Sequence, residues 1–467
     1  SMYPSVAIVI RISAIGISLI EEIYTAFYIY LKGEIETMRE KIKLKRELGL
    51  FETTLAGIGI ILGAGIYVLV GKAAGLTGTS VWMSFFFASL VAAFTGLSYA
   101  ELSSLFPRAG AEYVYTKKAF GRTLAFLVGW AIILSGIFAS TTVALGFAGY
   151  FSSLFGGSVI LISFVLVLIL SFTIFYGIKQ STWIAIVFTL IEAAGLVIII
   201  FISIPYFGSV DYFQMSAGFK GMFSAGALIF FAFLGFEQIT RLSEETKKPK
   251  RVIPRALIIS IVITTIFYVL VAISVVSVLS PQELAQSSSP LADVAAFILG
   301  PEAFIVLSIV ALFSTANTVL LEMLATSRIV YGMADFGSFP RSLSRIHKKT
   351  RTPWVAIIAV MIFTILFLFA GNIEQIASIT DFALFVTFAM INLVAIVLRY
   401  KLPKMKRSFR IPLNIGKFPV ISFLGLAASL FMLANLSIDI LIYGAITIVV
   451  GLVLFKAMIE KRVIAPR

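Results

Sequence analysis

The chain has 467 residues, 60% of them hydrophobic and 13% aromatic, with a mean hydropathy of +1.05. No water-soluble domain of this size carries that composition on its surface, so the chain reads as an integral membrane protein. The net charge of +14 does not point to nucleic acid, because the basic residues sit in short loops between apolar runs rather than on a soluble basic face. With no cysteine and one histidine, His347, in a basic loop, thiolate metal sites, cysteine nucleophiles and a metal or triad enzyme fall away, and no cofactor is expected.

Runs long enough to cross a hydrocarbon core of about 30 Å, which takes roughly 20 helical residues, lie at 5–31, 51–75, 82–105, 122–151, 157–176, 181–204, 219–242, 254–280, 303–333, 353–371, 374–399, 418–435 and 438–457. The reading is all-α, with one extra helix followed by twelve; membrane β-barrels show alternating segments of about ten residues instead. With residue 50 on the cytoplasmic side, all but three of the 37 basic residues fall in inside segments, the exceptions being Arg11, Lys72 and Lys220. That is the bias of a multi-pass protein whose partner is the lipid bilayer. The segment 5–31 carries Arg11, Glu21 and Glu22, each costly at the bilayer centre. It is read as a peripheral helix dispensable to the core.

The run GIGIILGAGIYVLVG at 57–71 places glycines where a spanning helix favours leucine. A break there frees backbone N–H and C=O groups, which is tolerable only beside a protein-lined cavity. The freed N–H groups at the start of a half-helix favour a carboxylate, and the carbonyls that end the preceding half favour an ammonium or cation. A zwitterionic amino acid supplies both. Close helix packing alone would also account for Gly59 and Gly63. A second interruption, GALIFFAFLGFEQI at 226–239, favours the first reading, because paired breaks in two halves point to an inverted-repeat transporter with a midplane site. No GxxxxGK[ST] loop occurs, so such a transporter runs on gradients, and no repeated filter of a channel is visible.

The motif at 57–71 resembles the first-helix signature of the amino acid-polyamine-organocation transporters, in particular their amino acid permease branch. LSYAELSSLFPRAGAEYVYTKKAFG, FFAFLGFEQITRLSEETKKPKRVIPRA and SRIVYGMADFGSFPRSLSRIHKKTRTPW resemble that family's second, sixth and eighth helices with their loops, in the same order. The resemblance covers about residues 46–457. It implies the five-plus-five inverted repeat of the bacterial leucine transporter: an extra helix and linker at 1–50, a first repeat at 51–204, a second at 219–399, and two further helices with a tail at 418–467. It further implies that Gly63, Ala64 and Gly65 offer N–H groups to a substrate carboxylate. The carbonyls of Ile61, Phe231, Ala232 and Leu234 would receive the ammonium, and Phe231 would supply an aromatic gate.

Two positions depart from the pattern. Ala64 stands where many relatives carry serine or threonine, and Glu192, in TLIEAAGLVIII, stands where some proton-coupled relatives carry lysine. A carboxyl at that depth should face the bundle and exchange a proton as the cavity hydrates. Among other acids within spans, Glu101 is expected to cap a helix or anchor a loop, and Glu237, in the sixth-helix motif, either to form charge-assisted bonds between helices or to gate, while Glu322 has no assigned role. Ser314 and Thr315 are candidate ion ligands facing the first break. The expectation is a proton-coupled secondary transporter of neutral L-amino acids in the cell membrane, working by alternating access. The pocket segments ILSGIFAST and SITDFALFV look apolar or small. A cationic amino acid or polyamine transporter or exchanger, favoured if Asp381 faces the pocket, and a sodium-coupled symporter are the alternatives.

Overall fold

Lipid offers backbone amides no partner but one another, so the long apolar runs fold as helices. The structure, a computed structural model, describes residues 44–464 apart from 288, 370–372, 435 and 437, and leaves aside the side chains of 64, 68, 153, 227, 231, 373–378 and 457–464. The helix expected at 5–31 lies outside the described residues. In chain order the helices are α1 (Leu50–Thr77), α2 (Val81–Leu105), α3 (Ala111–Phe120), α4 (Arg122–Phe155), α5 (Val159–Tyr176), α6 (Ile178–Ser203) and α7 (Gly218–Phe230). Then come α8 (Pro249–Val278), α9 (Pro281–Gln286), α10 (Pro290–Leu299), α11 (Pro301–Asp335), α12 (Trp354–Phe367), α13 (Ile373–Lys401), α14 (Val420–Ala434) and α15 (Ile438–Ile464). Among the described residues, nine helical stretches are long and apolar enough to cross a membrane, and α7, α10, α12 and α14 are shorter apolar helices.

Most expected spans coincide with helices to within a few residues at each end, while the one read as ending at 457 continues to Ile464, and the run at 219–242 carries the interruption expected at 226–239. The run at 219–242 is not a continuous helix: α7 stops at Phe230, and tight 3-10 turns follow at Phe231–Phe233 and Phe236–Glu244, separated by Gly235 in the left-handed region at φ 108°. Helices α3, α9 and α10 were not foreseen, because they are short and α3 is half polar. Nor was the antiparallel pair β1 (Asn414–Ile415) and β2 (Phe418–Pro419).

The bundle is built around α1, α4 and α11, which bury most of their length; α15, with 11% of its apolar window buried, is peripheral. Helix α2 lies along α8, α4 along α11, and α1 against α6, α7, α8 and α11. The outward faces of α5 and α15 present Leu161, Ile169, Phe172, Val449 and Val453, the surface that lipid requires. At the basic end, buried ion pairs fasten the helices. Glu101 accepts from Arg399 Nε at 2.6 Å, Arg407 Nε at 2.8 Å and the Ile411 amide at 2.9 Å, so the loop-anchoring reading of Glu101 describes its contacts. Arg328 binds Glu245 through Nε at 2.9 Å and Nη2 at 2.7 Å. Each ion is costly to bury alone and is held because its partner is in place.

Candidate binding site at two broken helices

Inside α1 the backbone leaves helical geometry at Gly63 (φ 7°, ψ −173°), seated against the turns that follow α7. A Cβ at Gly65 would lie 2.8 Å from Ala232 Cα, and one at Gly235 would lie 2.2 Å from Ile60 Cγ2. Glycine is therefore required for the two interrupted segments to touch. Close packing and the break are both present, at different glycines.

The carbonyls freed by the breaks converge. The hydroxyl of Tyr268, a buried residue of α8, lies 2.5 Å from Ile61 O and 2.9 Å from Ala232 O. Its ring is held by Phe233 at 5.0 Å and Phe85 at 5.5 Å between centroids. A hydroxyl has one proton for these two acceptors, so the carbonyls keep lone pairs for a further donor.

Beside them is a cavity of about 50 Å³, room for a few waters and not for an open channel. Ile61, Gly63, Gly65, Ala232 and Leu234 all line it, so five of the seven residues expected to bind substrate share one wall space. The backbones of Ala64 and Phe231 lie in the same segments, but their side chains are outside the described residues, and with them the proposed aromatic gate. ILSGIFAST contributes Ser135, Gly136 and Ala139, and SITDFALFV contributes Thr380 and Leu384. Asp381 is not among the lining residues. Glu322 is, with Oε1 accepting from Gln238 Nε2 at 2.5 Å.

Glu237 and Arg241 line the cavity as well: Glu237 Oε2 accepts from the Gly235 amide at 3.0 Å and Oε1 lies 3.6 Å from Arg241 Nη2. Arg241 donates to Glu112 Oε1 from Nε at 3.0 Å and Nη2 at 2.9 Å. Glu237 thus pairs within its own segment, and Arg241 carries the tie to α3.

Glu192 does not line the cavity. It is fully buried on α6, where Ser314 Oγ donates to its Oε1 at 2.5 Å and Tyr67 Oη of α1 donates to its backbone carbonyl at 3.1 Å. Asn317 Nδ2 reaches Thr189 Oγ1 at 2.9 Å beside it. Among the described residues, Glu192 Oε2 and Asn317 Oδ1 are buried without a partner, which is expensive unless a proton or another donor completes the cluster. Of the candidate ion ligands, Ser314 faces Glu192 and not α1. The Thr315 hydroxyl bonds back to Ala311 O at 2.8 Å and Leu312 O at 3.1 Å in its own helix. Tyr268 and Gln238 were not singled out from sequence. The available signal was a phenol and an amide in apolar surroundings, each needing a partner.

The amino acid permease family profile matches residues 48–453. Branched-chain amino acid permease BcaP of Bacillus subtilis (strain 168) is 31% identical over 437 residues, which cover 88% of this chain and 92% of the relative. Methylthioribose transporter of the same organism is 29% identical over 423 residues, 84% of this chain and 90% of the relative. Cationic amino acid transporter 4 of Homo sapiens is 30% identical over 405 residues, 79% of this chain and 62% of that longer protein. These relatives are transporters, not enzymes.

Proposed function

The chain belongs to the amino acid permease family, and from that premise we propose that it is a secondary active transporter of neutral amino acids, driven by protons and working by alternating access. Two inverted repeats, at 51–204 and 219–399, would move about the broken segments, with 418–467 outside them and 1–50 an addition. One observation carries the reading: the freed carbonyls of both breaks, Ile61 O and Ala232 O, meet at one tyrosine hydroxyl, and Ile61 and Ala232 both line the cavity. The carbonyls of Phe231 and Leu234 join them as acceptors for a substrate ammonium, and the amides of Gly63, Ala64 and Gly65 receive its carboxylate. Phe231 closes over the bound molecule. A cavity this narrow admits a substrate only when the helices around it shift.

The apolar and small part of the cavity lining, Ile132, Gly136, Ala139, Val143 and Leu384, suits an aliphatic side chain, and a relative's name specifies branched-chain amino acids. Coupling is assigned to Glu192, whose cluster touches α1 through Tyr67 and would gain or lose a proton as α1 moves. The engagement of Ser314 with Glu192 and of Thr315 with its own helix favours proton over sodium. A second reading rests on Glu322, a carboxyl on the cavity wall able to hold the cationic end of arginine, lysine or a polyamine.

Equilibrium binding to the purified chain tests both. Leucine should bind at least about tenfold more tightly than its decarboxylated amine, since hydrogen bonds to a charged group are worth about 1.5–3 kcal/mol. Equal affinities would refute the carboxylate site, and arginine or spermidine outcompeting leucine would move the assignment to the second reading.

A further inference from the structure

The segment 402–419 joins two apolar helices, α13 and α14, and so lies where the bundle meets the membrane surface. Its sequence, LPKMKRSFRIPLNIGKFP, holds five basic residues and no acid. It is not a loose loop. Glu101 grips its base through Arg407 Nε at 2.8 Å and the Ile411 amide at 2.9 Å, and Arg407 Nη2 donates to Leu398 O at 3.1 Å. The Phe409 amide donates to Ser104 Oγ at 3.3 Å, and Asn414 Nδ2 donates to Ile411 O at 2.7 Å. The tip is the β1–β2 hairpin, with Asn414 opposite Pro419 and Ile415 opposite Phe418.

What this fastened segment displays is apolar. Leu413 is 70% exposed and Ile415 75%, more than the residues on most lipid-facing helices of the chain. Leu413 also has φ 54°, a left-handed conformation that a leucine rarely adopts, and such strain persists only where the surroundings enforce it. Here it is enforced between the gripped base and the hairpin, and its result is a leucine turned outward. Lys404, Lys406, Arg410 and Lys417 are exposed in the same segment. Exposed bulky apolar side chains on a short segment rich in exposed lysine and arginine, fixed at the end of spanning helices, match the boundary between acyl chains and anionic headgroups.

We propose that the 402–419 segment is an interfacial anchor that inserts Leu413 and Ile415 into the adjoining leaflet and binds anionic phospholipid headgroups through Lys404, Lys406, Arg410 and Lys417. The rigid mount on Glu101 transmits that anchorage to the ends of α2 and α13. This does not depend on which molecule is transported.

The absence of cysteine makes the test direct. Leu413→Cys, Ile415→Cys and, as a control on another exposed loop, Ser342→Cys carry an environment-sensitive fluorophore on the full chain, reconstituted in vesicles of phosphatidylcholine with or without phosphatidylglycerol. Labels at 413 and 415 should be quenched by lipids spin-labelled near the headgroup and shielded from aqueous iodide, with the reverse at 342. Quenching by spin-labelled phosphatidylglycerol should exceed that by the phosphatidylcholine analogue at least about twofold. The preference should vanish at about 1 M salt and in the variant with Lys404→Gln, Lys406→Gln, Arg410→Gln and Lys417→Gln, which changes only exposed side chains. Iodide access at 413 and 415 equal to that at 342 would overturn the proposal. Shielding from both quenchers would overturn it in favour of a protein contact, and lipid quenching with no anionic preference would overturn the headgroup site.

Discussion

Tyr268→Phe removes one oxygen from the meeting point of the two breaks and leaves the ring. The ring is buried between Phe85 and Phe233, so no cavity larger than the hydroxyl is made. What is lost is the donor shared by Ile61 O at 2.5 Å and Ala232 O at 2.9 Å. A buried carbonyl left without a donor costs about 1–3 kcal/mol. The two carbonyls share one proton, so the loss is that of one hydrogen bond and not two. The variant should unfold with a stability lowered by about 1–3 kcal/mol, and its substrate affinity should fall by about 5- to 150-fold if the hydroxyl holds the carbonyls in their binding positions. Thermal unfolding of the purified protein, with and without leucine, and equilibrium binding of radiolabelled leucine measure the two effects separately. Unchanged unfolding together with a Kd within twofold of the parent would show that the hydroxyl neither supports the breaks nor shapes the site.

Gly65→Val should abolish substrate binding: even the first added carbon meets Ala232 Cα at 2.8 Å, so the two segments must part, at a stability cost of about 1–3 kcal/mol. A folded Gly65→Val protein with parent-like affinity would contradict the packing. Glu192→Gln keeps an oxygen for Ser314 Oγ and mimics the protonated carboxyl, so exchange of bound substrate should survive. Proton-driven accumulation should be lost, and uptake should no longer vary between pH of about 5 and 8. Accumulation with the parent's pH profile would make Glu192 structural. Phe231→Ala should weaken uptake more than Phe363→Ala, whose ring is 50% exposed on α12; equal effects would return Phe231 to ordinary packing. Phe367 packs on Phe138 at 4.7 Å and is the poorer control.

Hydropathy reveals membrane helices because their one requirement, about 20 apolar residues, is local, and the ends of α2, α5 and α6 follow the sequence reading closely. The run at 219–242 is apolar enough to pass as one span, yet it contains a left-handed glycine and two 3-10 turns. Hydropathy does not register backbone geometry, and only Gly226 and Gly235 hinted at it. Helix α3 escaped because it is only ten residues long and, with Glu112, Lys117 and Lys118, too polar for hydropathy to register. The cavity-lining residues Ile61, Gly63, Gly65, Ala232 and Leu234 were reached through the family resemblance, with glycines marking the two breaks. The partners that complete the site come from far along the chain: Tyr268 from α8, Glu322 from α11, and Glu112 from α3 for Arg241. No local pattern announces such pairs. Glu192 drew notice as a lone charge in its span, but its placement beside the cavity instead of on it depended on how α6 docks against α1 and α11.

Net uptake by the purified chain in proteoliposomes, with proton and sodium gradients imposed separately, bears most directly on the assigned function. An inward proton gradient alone should concentrate labelled leucine inside the vesicles, a sodium gradient alone should not, and dissipating the proton gradient should release what was accumulated. Accumulation driven by sodium, counterflow without accumulation under either gradient, or uptake confined to arginine or polyamines would each contradict proton-driven transport of neutral amino acids.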